Sequence, residues 1–268
     1  MEEAGNQGLP LSPNADGNAA RIAVSLESTF RFHCHPGLAC FNRCCREAAI
    51  ILSPYDILRL SRRLGLTSGE FLRRHARREK EAWSGLPLVL VKPERDGACP
   101  FLEQDGCRVY ADRPAACRLF PLAQGSELAP EGVVDHYFLR RLDYCQGFAA
   151  DREWTVEAWL ADQGFPEFDR PRRPWLRLLV LQAQPDRMPP DDRILSQFYM
   201  MAYDLDGFRT FLFESAFLKV HHLSREEAEP LLADDLALLR FSAAYLEHLL
   251  FPEEAPPLAQ ALEGALAA

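Results

Sequence analysis

Eight cysteines carry the chemistry legible in this chain. Cys34-x5-Cys40-x3-Cys44-Cys45 brings four thiols close together, and Cys99-x7-Cys107-x9-Cys117 adds three more. Cys145 ends the run in Tyr144-Cys145-Gln146-Gly147, and no cysteine follows it. Thiolates are soft, anionic donors that suit zinc and iron–sulfur clusters. Short gaps limit the loop entropy lost when several of them converge on one centre. Free cysteines can also pack as small hydrophobes. Four thiols so close, one pair adjacent, argue against that for the set, and Cys145 is the member it fits best. Neighbouring side chains of an extended strand diverge. Cys44 and Cys45 therefore belong in a turn or helix start if both serve one centre, or they serve two. His33 and His35 flank Cys34 and could ligate through imidazole, although surface histidines before a loop explain them more simply.

The residues around these cysteines resemble a known family. Phe32-x-Cys34 is followed by Cys40-Phe41-Asn42-Arg43-Cys44-Cys45, then by Cys99-Pro100-Phe101-Leu102 and Gly106-Cys107-x-Val109-Tyr110. The last block is Arg113-Pro114-x-x-Cys117-Arg118-x-Phe120-Pro121. Together they are similar to the CxxCxxCC cysteine-cluster family, over about half the chain and ending near Cys145-x-Gly147. The family name implies two-residue gaps, where this chain has five and three. The resemblance implies a zinc- or iron-chelating unit, often labelled an iron–sulfur oxidoreductase, with all eight cysteines as candidate ligands. The cofactor expected from it is an iron–sulfur cluster, 4Fe–4S in type, with zinc as the alternative. A similar class, flagellin lysine N-methylase, pairs such a cluster with S-adenosylmethionine, so methyl transfer is a further alternative. This chain shows neither a glycine-rich strand–turn–helix fingerprint for that cofactor nor the CxxxCxxC spacing of radical enzymes that use it. Arg113 and Arg118 beside thiolates would offset negative charge and raise a cluster's potential; an ion pair with Asp112 or Asp105 is the structural alternative.

The elements that must position these groups can be read from punctuation. Ser53-Pro54-Tyr55-Asp56 supplies an N-cap, a proline at the first helical position and an acid in the first turn. Ile57, Leu60 and Leu64 share a face and Gly65 ends that helix. Thr67-Ser68-Gly69-Glu70 is a capping box for a second helix. Leu88 to Val91 is a strand candidate. Asp105-Gly106 marks a turn between Cys99 and Cys107, with Cys107 to Tyr110 returning. Asp112-Arg113-Pro114 opens a short helix carrying Cys117, and Val133 to Leu139 is a further strand. Beyond it the chain reads as helical. Thr155 caps a helix ending at Gly164, Arg170 to Pro174 is a Pro/Arg-rich break, and a helix spans Asp204 to Phe217. A long helical stretch starts at Ser224 with Pro230 inside it.

The expected fold class is α+β. An irregular cysteine-rich metal-binding domain with short strands and helices precedes a mainly helical C-terminal part. The expected organisation is a flexible leader over 1–20, the cysteine domain over 21–150, a helical region over 151–251 and a flexible tail over 252–268.

The chain has 268 residues, 48% of them hydrophobic, so it can build a sizeable core without metal. Its formal net charge of −9 argues against general nucleic-acid binding, which needs cations on phosphates. The stretch Arg59 to Lys80 is locally basic. It reads as a solvated helix face or as a docking patch for an acidic protein partner, which the helical half could also bind. The start of the chain lacks a basic and apolar leader pattern, and no apolar run is long enough to span a bilayer. A cytoplasmic location follows as the expectation, and there thiols stay reduced. No catalytic triad or phosphate loop is visible, so no catalytic residue is assigned. His221-His222 lacks metalloprotease spacing, and a helix N-cap explains Asp204 and Asp206. The functional expectation is a metal-binding, iron–sulfur protein with a redox or electron-transfer role. The alternatives are a zinc-stabilised interaction module and a cluster-dependent methyltransferase.

Overall fold

A computed structural model describes residues 9–10, 20–46 and 49–267 of the chain. The class is α+β, with short antiparallel strands and many helices. The chain divides into two compact units, and neither is continuous. One holds the described residues up to Ile51 with Val91–Glu167; the other holds Leu52–Leu90 with Phe168 onward. The first unit is interrupted by an excursion. The chain leaves the cysteine unit after Ile51 and returns at Val91. The reason is apolar: the helices in this excursion bury their hydrophobic stripes among the later helices of their own unit.

The cysteine unit contains a four-stranded antiparallel sheet, ordered Leu9–Pro10, Leu122–Ala129, Gly132–Arg141, Ala20–Val24. The long hairpin at its centre turns at Pro130 and Glu131 and re-enters the sheet through Gly132, whose φ of 119° only glycine adopts without strain. Of the expected leader, 1–8 and 11–19 lie outside the described residues, while Leu9 and Pro10 pair with Ser126 and Gly125. A second strand pair joins Thr29–Arg31 to Glu153–Thr155, with Phe30 opposite Trp154. The unit's core gathers Phe30, Phe32, Leu119, Leu122, Leu139, Val156, Trp159 and Phe165. Phe32 sits edge-on to Phe120, Phe148 and Trp159, with centroids 5.8, 5.2 and 5.5 Å away. Such edge-to-face contacts favour one arrangement over others of equal buried area. Trp154 donates from its indole nitrogen to the Phe32 carbonyl, 3.0 Å. The strand leading to Cys34 is therefore anchored on both sides.

In the helical unit the capping signals act as read. Ser53 and Asp56 form a reciprocal box at the start of helix Pro54–Leu64, which Gly65 ends at φ 65°. Thr67 and Glu70 do the same for Ser68–His75. Pro87–Val91 is buried along its length. Asp204 caps Leu205–Glu214 by accepting from the Gly207 N–H at 3.2 Å. Asp206 instead accepts from Ser68 N–H at 2.8 Å and from Arg62.

Three helical expectations change. The break at Arg170 to Pro174 does not occur, because Phe165–Gln182 runs through it with Pro171 and Pro174 inside. Asp169 reaches Arg172 at 2.6 Å and Arg173 at 3.3 Å, one turn on, while Trp175, Leu176, Leu178 and Leu179 are buried. Packing and pairing there outweigh the hydrogen bonds that proline removes. After Ser224 the helix is short, Arg225–Ala228, followed by a 3₁₀ turn at Glu229–Leu232. Asp234 then caps a new helix, Asp235–Leu250, accepting from Leu236 and Ala237. Within the tail, Leu258–Ala267 is helical and buries Leu258, Ala261, Leu262 and Ala265 on one stripe. The Arg240 guanidinium donates to the Ala265 carbonyl at 2.8 Å. Alanine-rich composition there reflects helix propensity. Among the described residues no helix is long and apolar enough to cross a membrane.

Candidate metal centre

All eight cysteines fall in one unit, and all are free thiols. Their loops are drawn together by backbone hydrogen bonds. The His33 N–H donates to the Gly147 carbonyl at 3.0 Å, and the Phe32 N–H to that of Arg152 at 3.0 Å. These bonds set the Cys34 loop against the Cys145 loop. The Gln146 N–H donates to Cys40 Sγ at 3.2 Å, adding the Cys40 loop to the same place. Gly147 is required there by space. A Cβ on it would lie 2.7 Å from Phe32 Cε2.

Cys44 and Cys45 occupy a 3₁₀ turn, Arg43–Cys45, entered through Asn42 at φ 65°. Asparagine is among the few residues that tolerate this left-handed conformation. The turn is closed by Arg43 N–H to the Cys40 carbonyl and Cys45 N–H to that of Asn42, both 3.0 Å. The adjacent pair thus sits in a turn. On leaving it, the Cys45 carbonyl accepts from Cys99 N–H at 2.8 Å, and Arg46 bridges to Ala98. Cys107 then lies opposite Leu102 in the short hairpin that follows Cys99. Cys117 is carried on helix Ala115–Leu119.

Arg118 is buried, and its guanidinium donates to the carbonyls of Ala111, Arg113 (3.2 Å) and Gln163 (2.8 Å). It clips the Cys117 helix to the segment just after Cys107. Arg113 lies 4.1 Å over the Tyr110 ring and donates to Gln163 Oε1 at 2.8 Å.

The thiols feel one another electrically. Burial pushes the Cys34 thiol up to about 11, helped by the negative charge available at Cys44, Cys145 and Cys40. A hydrogen bond from Cys45 lowers Cys44 to about 7. Cys45 is raised, first by that same bond, then by burial, then by Cys44, Cys117 and Cys99. Burial also raises Cys99, Cys107 and Cys145. Each of these three is opposed by the backbone N–H two residues on, from Phe101, Val109 and Gly147 respectively. Arg108 counteracts the rise at Cys99, and Arg113 with Arg108 at Cys107. Donors aimed at sulfur favour the thiolate, the form that binds metal.

His33 and His35 stack at 4.9 Å, and His35 Nδ1 accepts from Gly37 N–H at 3.2 Å, within its own loop. Among the described residues, no three side chains of Cys, His, Asp or Glu already surround one point closely enough to hold an ion. The loops are assembled around the thiols without a closed ligand shell. Sequence reading missed the role of Gly147, Arg108 and the backbone donors of Phe101, Val109 and Gly147. Their signal is the repeated placing of a buried apolar residue or glycine two positions after a cysteine.

Free thiols, N–H donors to sulfur and nearby guanidiniums define a class of unit: a thiolate-rich metal-binding domain. Residues 33–146 match the CxxCxxCC family, whose description reads "Putative zinc- or iron-chelating domain". The chain contains this domain, and its role is metal binding. No curated protein and no solved structure matches the chain.

Proposed function

We propose that the cysteine unit holds an iron–sulfur cluster and serves redox or electron-transfer chemistry in a reducing compartment such as the cytoplasm. The observation that carries this reading is the treatment of the sulfurs. The Gln146 N–H donates to Cys40 Sγ at 3.2 Å, and the N–H groups of Phe101, Val109 and Gly147, with Arg108 and Arg113 at Cys107, favour the thiolates of Cys99, Cys107 and Cys145 against burial. Hydrogen bonds to sulfur and nearby cations are the means by which a protein tunes a cluster's potential. The thiols would hold the cluster, and the cluster would supply one-electron chemistry. An electron-transfer role needs a partner. The basic stretch Arg59 to Lys80 is the proposed place for an acidic one, although Arg62 already binds Asp206 and Asp235 and Arg74 reaches Glu70. The same thiol set suits zinc, and the family description names both metals.

Anaerobic purification decides between them. A brown protein with iron and acid-labile sulfide in equal amounts is expected. A colourless protein holding tightly bound zinc and no sulfide overturns the iron reading, because zinc has a filled d shell and no visible absorption.

A further inference from the structure

Cys44 and Cys45 are adjacent and bonded to each other, yet the chain on either side of them is tied to different segments. A 3₁₀ helix has three residues per turn, so consecutive side chains leave the axis about 120° apart. Before the turn, the chain is tied to the segment around Cys145, through His33 to Gly147 and Gln146 to Cys40 Sγ. After the turn it is tied to the segment from Cys99, through Cys99 N–H to the Cys45 carbonyl and the Arg46–Ala98 bridge. The hairpin Leu102–Glu103 with Gly106–Cys107 and the Arg118 clip carry Cys107 and Cys117 with that second segment.

We propose that the unit forms two separate four-thiolate centres, with Cys34, Cys40, Cys44 and Cys145 in one and Cys45, Cys99, Cys107 and Cys117 in the other. The adjacent pair gives one thiolate to each. Each set supplies four sulfurs, the number that satisfies one tetrahedral zinc or one cubane cluster. Each set also draws on both sides of the excursion to the helical unit, so each centre pins two distant stretches of chain. This inference rests on the metal-binding reading but not on which metal is bound.

The test counts metal in anaerobically purified Cys117→Ser, Cys145→Ser, the double variant of these two, and Cys34→Ser/Cys145→Ser. Each single variant should keep about half the metal. The cross-set double should lose nearly all of it, and the same-set double should still keep about half. Loss of nearly all metal in either single variant, or in the same-set double, overturns the division. So does full retention in either single variant.

A second measurement needs no variant. Reduced, metal-free wild-type chain is given one and then two equivalents of zinc, and the unprotected thiols are alkylated and mapped. At one equivalent the four protected cysteines should be one named set, and the second equivalent should protect the other. Protection of Cys44 and Cys45 within one set of four, or of all eight in a single step, overturns the proposal. Metal and sulfide analysis keeps the two readings apart. Two zinc ions per chain without sulfide would sink the iron reading and leave the division standing. Iron and sulfide with both Cys44 and Cys45 in one set would do the reverse.

Discussion

Gly147 sits where two requirements meet. Its neighbour Gln146 donates to Cys40 Sγ, its carbonyl accepts from His33, and its Cα faces the ring of Phe32 with no room for a methyl group. Phe32 cannot yield, because Phe120, Phe148 and Trp159 hold it edge-on. Gly147→Ala should therefore cost about 1–3 kcal/mol, as overpacking of a filled core does. The strain falls two residues from both Cys34 and Cys145. Thermal unfolding should shift down, and metal content should fall at the Cys34–Cys145 centre. A variant with unchanged metal content and melting temperature would show that this approach does not position the ligands. The Cys-x-Gly pattern was visible in the sequence, but its cause was not, since Phe32 lies over a hundred residues away.

At the scale of elements, the short helices of the excursion are held by an ion network as well as by their apolar faces. Arg62 binds Asp206 at 2.9 Å and Asp235 at 2.9 Å, while Arg209 reaches the same two carboxylates. Burial acts to raise Asp206, but Arg62 and the N–H of Ser68 prevail and hold its carboxyl at about 2. A carboxyl depressed on folding adds stability above its unfolded value, ~4, and loses it as pH falls through the folded value. Arg62→Ala should thus lower stability at neutral pH by about 1 kcal/mol, since the arginine is partly exposed and Arg209 remains. The gap between variant and wild type should shrink between pH 4 and pH 2. Melting curves at the two ends of this window check it; a gap that widens on acidification contradicts the assignment.

Elements marked by local chemistry were legible: the N-cap at Ser53, the box at Thr67, the Asp105-Gly106 turn, the helix entry at Pro114. What escaped was decided by distant partners. Pro171 and Pro174 stay inside a helix because of Asp169 and the buried face around Trp175. The alanine-rich tail folds because its stripe finds cover. The cysteines announced a metal site, but their division depends on which carbonyl Cys99 meets, and that is set across more than fifty positions.

For the molecule as a whole, the two units should respond differently to loss of metal. The helical unit builds its own apolar core, including Phe71, Phe198, Tyr203, Phe208 and Phe241, and contains no cysteine. The cysteine unit depends on loops that thiolates would cross-link. Chelation under reducing conditions should raise hydrogen exchange around Phe41 to Cys45, Cys99 to Cys117 and Tyr144 to Gly147. Exchange in Asp192–Tyr203 and Asp235–Leu250 should be nearly unchanged. Equal loss of protection in both units would mean that metal is needed for the entire fold.

The excursion has a consequence during synthesis. Cys34 to Cys45 leave the ribosome first, and the chain then makes Leu52–Leu90, a stretch belonging to the other unit. Their partners at Cys99 to Cys145 follow only afterwards. For that interval four thiols stand with no means of completing either centre, open to oxidation or to the wrong metal. Loading therefore has to come late, and a nascent chain stalled before Cys99 should hold metal only weakly.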